Sequence, residues 1–406
     1  MRLRLLVLAV GNFAMGVDTF VIAPILDPMA DDFGVARTTA GWLITAFALA
    51  YAIGGPMLAA ATGHRPPRQL LLGALTVFAV GNALTAVADG YTWAMLGRVV
   101  AGAGASMYTA NSLATARAMT PPERSGRATA LVVGGLTAAI VLGLPLGAWL
   151  GDQAGWRATL WLVVGLTVVA TVGIAASIPE LPGQAATTLR ARLAPLGQPK
   201  VLVTLLATLL CLSTSWTVYN YVDQVMDRAT DGDASRTSLI LLCFGIGAVS
   251  GNLLTGRLTD RIGAVRTIRV GAPLLVVAAT LTPLLARNMA AAFVLAAAWG
   301  VCHWMINVPQ QLRTVAAAPQ SAPMVLGLHQ STIYIGISLG GVAGASGFSL
   351  GGAHGVGYAA LTVGVLALGM LALSLRINRP APAGAPAPAP SAPPQTGAST
   401  QTPTTI

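Results

Sequence analysis

Long apolar windows alternate with short polar breaks along almost the whole chain. The windows fall at roughly 5–25, 39–61, 69–88, 92–115, 127–150, 156–178, 201–222, 237–257, 266–286, 290–313, 324–347 and 355–376. Each is close to the ~20 apolar residues that a helix needs to cross a hydrocarbon core ~30 Å thick. The pattern predicts an all-α membrane protein with twelve transmembrane helices. An even count places both chain ends on one side of the bilayer. The start, MRLRLLVLAV, is built like a signal peptide. No small-residue cleavage site follows and the apolar run continues, so it reads as an uncleaved first helix.

The longest inner connection, 179–200, divides the windows six and six. It contains Pro, Gly and Gln and reads as a cytoplasmic linker. The expected units are a six-helix bundle over 1–178, the linker, and a second six-helix bundle over 201–378. From 379 to 406 the chain is Pro, Ala, Ser and Thr, including APAGAPAPAP. Too few apolar residues are present there to offset the entropy of ordering, so a disordered tail is expected. The halves carry a weak repeat. Gly256-Arg257-Leu258-Thr259-Asp260-Arg261-Ile262-Gly263 follows window eight, and Ala59-Ala60-Ala61-Thr62-Gly63-His64-Arg65-Pro66 follows window two. In the first copy Gly63 replaces the acid and Pro66 the glycine. Two related six-helix halves are a transporter architecture.

Composition excludes a soluble protein: 55% of the 406 residues are hydrophobic and 9% charged, against about 25% charged in soluble domains. The net charge of +10 does not point to nucleic acid, because the basic residues sit in short loops. Inner loops hold 17 Lys or Arg and outer loops 5, if the amino terminus is inside. The positive-inside rule then predicts a multi-pass protein of the cell's inner (plasma) membrane with both termini cytoplasmic. Cys211, Cys243 and Cys302 all fall in apolar windows, which suggests neither a disulfide framework nor a metal site. No P-loop and no HExxH occur, the four histidines are scattered, and no Ser-His-acid set can be drawn at membrane depth. The expectation is a non-enzyme without cofactor, in contact with lipid, a small-molecule substrate and protons, and monomeric.

One carboxylate changes the picture. Asp18 lies 14 residues past Arg4, roughly 20 Å in at 1.5 Å per residue. A charge at that depth costs ~3 kcal/mol or more, and such residues are functional candidates by default. Arg98 lies at a similar depth in window four. Burial raises a carboxylate's pKa while an adjacent Arg lowers it, so the two together can form a proton switch. A fixed buried ion pair holding two helices together is the other reading. In window five, Gly135, Gly143, Gly147 and Gly151 are spaced by multiples of four, which puts them along one helix face. Such a stripe admits a close helix neighbour, and Gly247 and Gly251 in window eight offer a matching surface. Pro145 removes a backbone hydrogen bond and is a candidate bend.

The remaining polar and aromatic groups cluster by helix. Asn12 and Phe20 lie in window one, Tyr108 and Asn111 in four, Trp216, Tyr219, Asn220 and Tyr221 in seven. His303, Trp304, Asn307, Gln310 and Gln311 lie in ten, and His329, Gln330 and Tyr334 in eleven. Windows three, six, nine and twelve are nearly bare of such groups, apart from Asn82 and the loop-end charges. Polar groups inside a membrane face the bundle interior or a water-filled cavity. Tyr219 and Tyr221 cannot both face one way along a regular helix. One is expected in the cavity and the other at the membrane interface. Asp223 at the outer boundary is either a cation attractor or a solvated helix end.

Several of these segments resemble one family. GRLTDRIG is similar to the loop signature of the major facilitator superfamily. Leu96 to Ala105, LGRVVAGAGA, resembles its fourth-helix motif with the buried arginine. Gly134-Gly135 with Gly143-Leu144-Pro145-Leu146-Gly147 resembles the fifth-helix antiporter motif. Gly16-Val17-Asp18-Thr19-Phe20-Val21 and Val218-Tyr219-Asn220-Tyr221 resemble segments of the twelve-helix bacterial drug:proton antiporters and the related sugar-efflux (arabinose-efflux-permease-like) proteins. The resemblance implies two pseudo-symmetric six-helix bundles with the four bare helices outside a central cavity. It implies proton coupling through Asp18 and Arg98. It further implies that helices five and eight meet across the halves to control an outward gate. Gly256, Asp260, Arg261 and Gly263 would form a cytoplasmic latch.

The function expected from all this is secondary active export of a small apolar or amphipathic, drug-like compound by proton antiport and alternating access. A sugar or metabolite exporter on the same frame is the first rival, since Asn307, Gln310 and Gln311 would suit hydroxyl groups. A non-transporting sensor that signals through the tail is the remote one.

Overall fold

Lipid offers no hydrogen bonds, so each apolar window must satisfy its backbone internally, and a helix does so within one segment. A computed structural model describes residues 2–121, 124–183 and 187–378. The long helices are α1 (Arg2–Val21), α2 (Trp42–Thr62), α3 (Pro67–Ala86), α4 (Tyr91–Ala118) and α6 (Trp156–Ser177), with α5 between the last two. α5 is Ser125–Ala138, a π-helical turn Ala139–Gly143, and Leu144–Ala154. The second half has α7 (Pro199–Tyr219), α8 (Ala234–Ile262), α9 (Ala264–Leu285) and α10 (Met289–Ala317). The run Ala322–Ile377 is broken by non-helical backbone at Gly351 and Gly352, giving α11 (322–350) and α12 (353–377). These twelve helices correspond to the twelve apolar windows. By length and apolarity alone nine helical stretches among the described residues qualify as spans, or ten with the bent α5. The other two are α4, which carries Arg98, and the second half of the Ala322–Ile377 run.

Local chemistry sets the helix ends. Pro67 and Pro199 open α3 and α7, where a missing N–H costs nothing. Gly155 and Gly263, both at φ 84°, each end one helix and start the next, a conformation that L side chains resist. α1 and α7 both stop short of their windows, and each is followed by a short helix, Leu26–Asp32 and Val222–Thr230. α5 bends by 45° between Arg127–Gly143 and Pro145–Ala154, where the π turn and Pro145 interrupt the regular ladder.

The helices pack in two similar sets. α2 and α3 both lie on α4, and α8 and α9 both lie on α10. Small residues allow it: a Cβ on Gly81 of α3 would stand 2.3 Å from the Ala101 nitrogen of α4. The outer surface is apolar, with Leu350, Val294, Val169 and Val172 largely exposed, as a lipid-facing wall requires. Both described ends lie on one face, here called the terminal face, where Asn378 donates to the Lys200 carbonyl at 3.4 Å. The opposite side is the far face. The tail 379–406 lies outside the described residues, as do Gln184, Ala185 and Ala186 of the linker.

Candidate functional site

The site is built on α1. The glycine column of α5 receives the α1 side: a Cβ on Gly135 would meet the Ala9 carbonyl at 2.0 Å, and one on Gly143 would meet Val17 at 2.3 Å. Gly147 and Gly151 meet Val21 and Ile25 in the same way. With Val17 pressed on α5, its neighbour Asp18 turns toward α4. There Arg98 donates from Nη1 to Asp18 Oδ1 at 2.7 Å. The two side chains are 1% and 0% exposed. The guanidinium also lies 4.3 Å from the centroid of the Phe47 ring, a favourable cation–π placement. Asp18 Oδ2 and Arg98 Nε are buried without partners.

The second half closes over this pair. Tyr334 of α11 stacks on Tyr51 of α2 with ring centroids 3.4 Å apart, and its ring lies 6.4 Å from that of Phe47, the ring that faces Arg98. Ser331 donates to the Ala52 carbonyl at 2.8 Å and Ser338 to the Thr45 carbonyl at 3.3 Å. Tyr219 of α7 donates to the Phe20 carbonyl of α1 at 3.0 Å. On the other flank, Gly245 of α8 meets Ile140 and Val141 of the α5 π turn, and Ser235 reaches Asp152 at 3.5 Å. All these bridges lie at mid-depth or toward the far face.

Beside them is an aromatic group formed by Phe20, Trp216, Tyr219, Phe244, Trp299 and His303, with neighbouring ring centroids 4.6 to 6.1 Å apart. Ser215 ties it together. Trp299 Nε1 donates to Ser215 Oγ at 2.8 Å, and Ser215 Oγ lies 2.7 Å from His303 Nδ1. An indole can only donate, so the serine oxygen accepts from it and its own proton is free for His303. The indole N–H groups of Trp216 and Trp304 are buried without partners.

A model of the Major Facilitator Superfamily matches residues 8–226 and 204–403. This chain belongs to the Major Facilitator Superfamily. It is therefore a multi-pass membrane transporter and not an enzyme. It is 30% identical over 347 residues to the Inner membrane transport protein YdhP of Escherichia coli (strain K12), covering 86% of this chain and 89% of that one. It is 34% identical over 330 residues to a Chloramphenicol resistance protein of Streptomyces lividans, covering 79% and 84%. Its fold matches the crystal structure of a bacterial homolog of the human lysosomal transporter Spinster, inward-facing and unoccupied. There the TM-score is 0.69 at 16% identity, over 94% of this chain and 98% of that one.

Within this superfamily frame the polar residues separate by what they touch. Phe20, Trp216, Tyr219 and His303 belong to the aromatic group, and Tyr334 stacks on Tyr51. Others are occupied by helix-to-helix bonds. Asn12 donates to Ser112 and to the Leu8 carbonyl, both at 3.0 Å, and the Tyr108 hydroxyl also reaches Leu8. Asn111 bonds its own helix at Met107. Asn220 bonds the Ile337 carbonyl at 3.2 Å, and Asn307 meets His329 at 3.2 Å. Gln310 is held by Arg313 near the terminal face.

Two expectations need correction. Gly247 and Gly251 do not face α5. Their Cβ positions would stand 2.2 and 2.4 Å from the Ala297 and Val301 carbonyls of α10. Gly245, two residues earlier and so on another face of the helix, makes the contact with α5. Tyr221 lines neither a cavity nor the lipid interface. It is 1% exposed, stacked on Phe348 and under the Arg37 guanidinium. α7 breaks at Asn220 and Tyr221, so the regular-helix spacing does not apply. Gly256 to Gly263 form the end of α8 and its cap. Asp260 and Arg261 are exposed there and make no ion pair among the described residues.

Four features escape the sequence pattern. Tyr51 and Ser215 sit in apolar windows without a signal. Trp299 could be found, since it precedes His303 by four residues on one helix face. At the far face Asp27 pairs with Arg37 and accepts from Gln224. The half-buried Asp223 stands in the short helix after α7 with its Oδ2 unpartnered. Burial pushes that carboxyl up to about 7; Arg37 lowers it and Asp27 raises it further.

Proposed function

We propose that this transporter exports a small apolar or amphipathic compound in exchange for protons, with Asp18 as the proton-binding group. The observation that carries the reading is the Asp18–Arg98 pair, buried beside Phe47 of α2, the helix on which α11 of the second half closes. A proton on the unpartnered Oδ2 would cancel the carboxylate charge and leave Arg98 held by the Phe47 ring. The energy of the pair would then depend on whether the α2–α11 contact is shut or open to water. A ligand shifts such an equilibrium only by its differential affinity for the two states. Proton and substrate would favour opposite states. The Trp216 and Trp304 N–H groups and the Phe20 ring offer a cargo both donors and an apolar face. The name of the chloramphenicol-resistance relative favours a drug-like cargo. Loop charge favours a cytoplasmic terminal face, so the far-face bridges describe a molecule shut to the outside.

The test is a susceptibility screen of expressing cells against a chemically broad compound panel, repeated with the proton gradient collapsed. Protection against some amphipathic compounds that disappears without the gradient is expected. Protection that survives its collapse would remove proton exchange from the scheme.

A further inference from the structure

A cavity of about 450 Å³ opens at the terminal face between the start of α9 and the end of α10. Its polar wall is Arg266, Arg269 and Arg313. Arg266 and Arg269 are three apart on α9, so they project from one side of it. Both are exposed, and neither makes an ion pair among the described residues. Arg313 is only 7% exposed. Gln310 holds one of its nitrogens and Ser374 the other at 2.7 Å. Those partners are neutral, so a buried cation stands without a carboxylate, a costly arrangement unless an anion meets it. The α9 N-terminus also lines the cavity at Gly263 and Ala264, and no side chain caps it. First-turn N–H groups favour anions.

The other wall is apolar and faces outward: Val265 is 41% exposed and Leu312 50%. A free inorganic anion gains nothing from that wall. A phosphodiester with acyl chains gains from both walls at once, and basic pockets between transmembrane helices are suited to acidic headgroups. We propose that this cavity binds the phosphate headgroup of an acidic phospholipid, with its chains along Val265 and Leu312. Arg266, Arg269 and Arg313 meet the phosphate charge. The cavity shares no residue with the bridges between the halves and is independent of which cargo is carried.

The test uses the full chain in nanodiscs of phosphatidylcholine with a minor fraction of phosphatidylglycerol. Native mass spectrometry counts the lipids retained, and R266Q/R269Q is compared with the parent. Both substituted residues are exposed, and matched melting in phosphatidylcholine alone checks that the variant is folded. The parent is expected to retain phosphatidylglycerol over phosphatidylcholine. The variant is expected to bind it roughly tenfold or more weakly, since each basic residue contributes separately near an anionic headgroup. Equal retention of phosphatidylglycerol by the variant overturns the proposal. So does equal stabilisation of the lipid-free protein in detergent by inorganic phosphate, which would make the source a free anion.

Discussion

Replacing Asp18 by Asn separates a structural ion pair from a proton-coupling one. At 2.7 Å and an effective dielectric near 20, the gross attraction between the two charges is about 6 kcal/mol. Much of it offsets the desolvation of both groups. Removing one partner leaves Arg98 buried and uncompensated, which costs ~3–5 kcal/mol in comparable sites. The Phe47 ring retains some favourable energy, so the lower end, ~3 kcal/mol, is expected. If all of it is felt by the native state, the half-life in detergent at fixed temperature falls about a hundredfold. The second arm is Asp18→Asn with Arg98→Met, which removes both charges and should recover most of that half-life. Gradient-driven efflux should be lost in the single and the double variant alike. The double-mutant cycle in half-life then reads the pair, and the efflux assay reads the coupling. Undiminished gradient-driven efflux by Asp18→Asn would refute the proton role. Recovery of both stability and efflux in the double variant would reduce the pair to a strut. Additive half-life losses would refute the pair itself.

Three further outcomes are expected. Gly247→Ala should destabilise the packing of α8 on α10, because its Cβ would lie 2.2 Å from a backbone carbonyl; melting in detergent should drop. Gly245→Leu, whose Cβ alone would lie 2.8 Å from the Ile140 carbonyl, should push α8 off α5, lowering the melting point and increasing reagent access to cysteines placed near Ile140. Ser215→Ala should cost ~1–3 kcal/mol by orphaning the Trp299 N–H and His303 Nδ1, seen as faster thermal inactivation, whereas Ser215→Thr should retain most stability. At the far face, the folded value of Asp223, about 7, lies above the ordinary 3.8. The folded state therefore holds the proton between those values, and closure there weakens as pH rises through that window. Hydrogen exchange over Val222–Thr230 should be slower, after correction for intrinsic rates, at about pH 6 than at about pH 8. Asp223→Asn should flatten the difference.

Asp18 and Arg98 were legible because a charge amid apolar residues stands out at any depth, and their similar depths could be judged from helix rise alone, whereas their contact could not. The glycine column of α5 was legible as a close-packing face, but not its partner. Spacing identifies which residues share a helix face, yet many small-residue faces are interchangeable, and only packing shows that this one receives α1. The same reason explains Gly245 against Gly247: two residues apart on a helix they face different neighbours, and nothing local says which neighbour stands where. The amides Asn307 and Gln310 looked free for a cargo and prove to be held by His329 and Arg313, contacts that join distant parts of the chain or turn on a rotamer.

Hydropathy alone determined that this chain is a helical membrane protein with twelve apolar windows, because lipid leaves the backbone no partner but itself and so forces each apolar window into a helix. Tertiary structure decided where α1 and α7 stop, which helices cross from one half to the other, and that Tyr334 stacks on Tyr51. Those outcomes depend on surface fit between helices that are equally apolar toward lipid, and fit is a property of pairs of surfaces rather than of any one stretch of sequence.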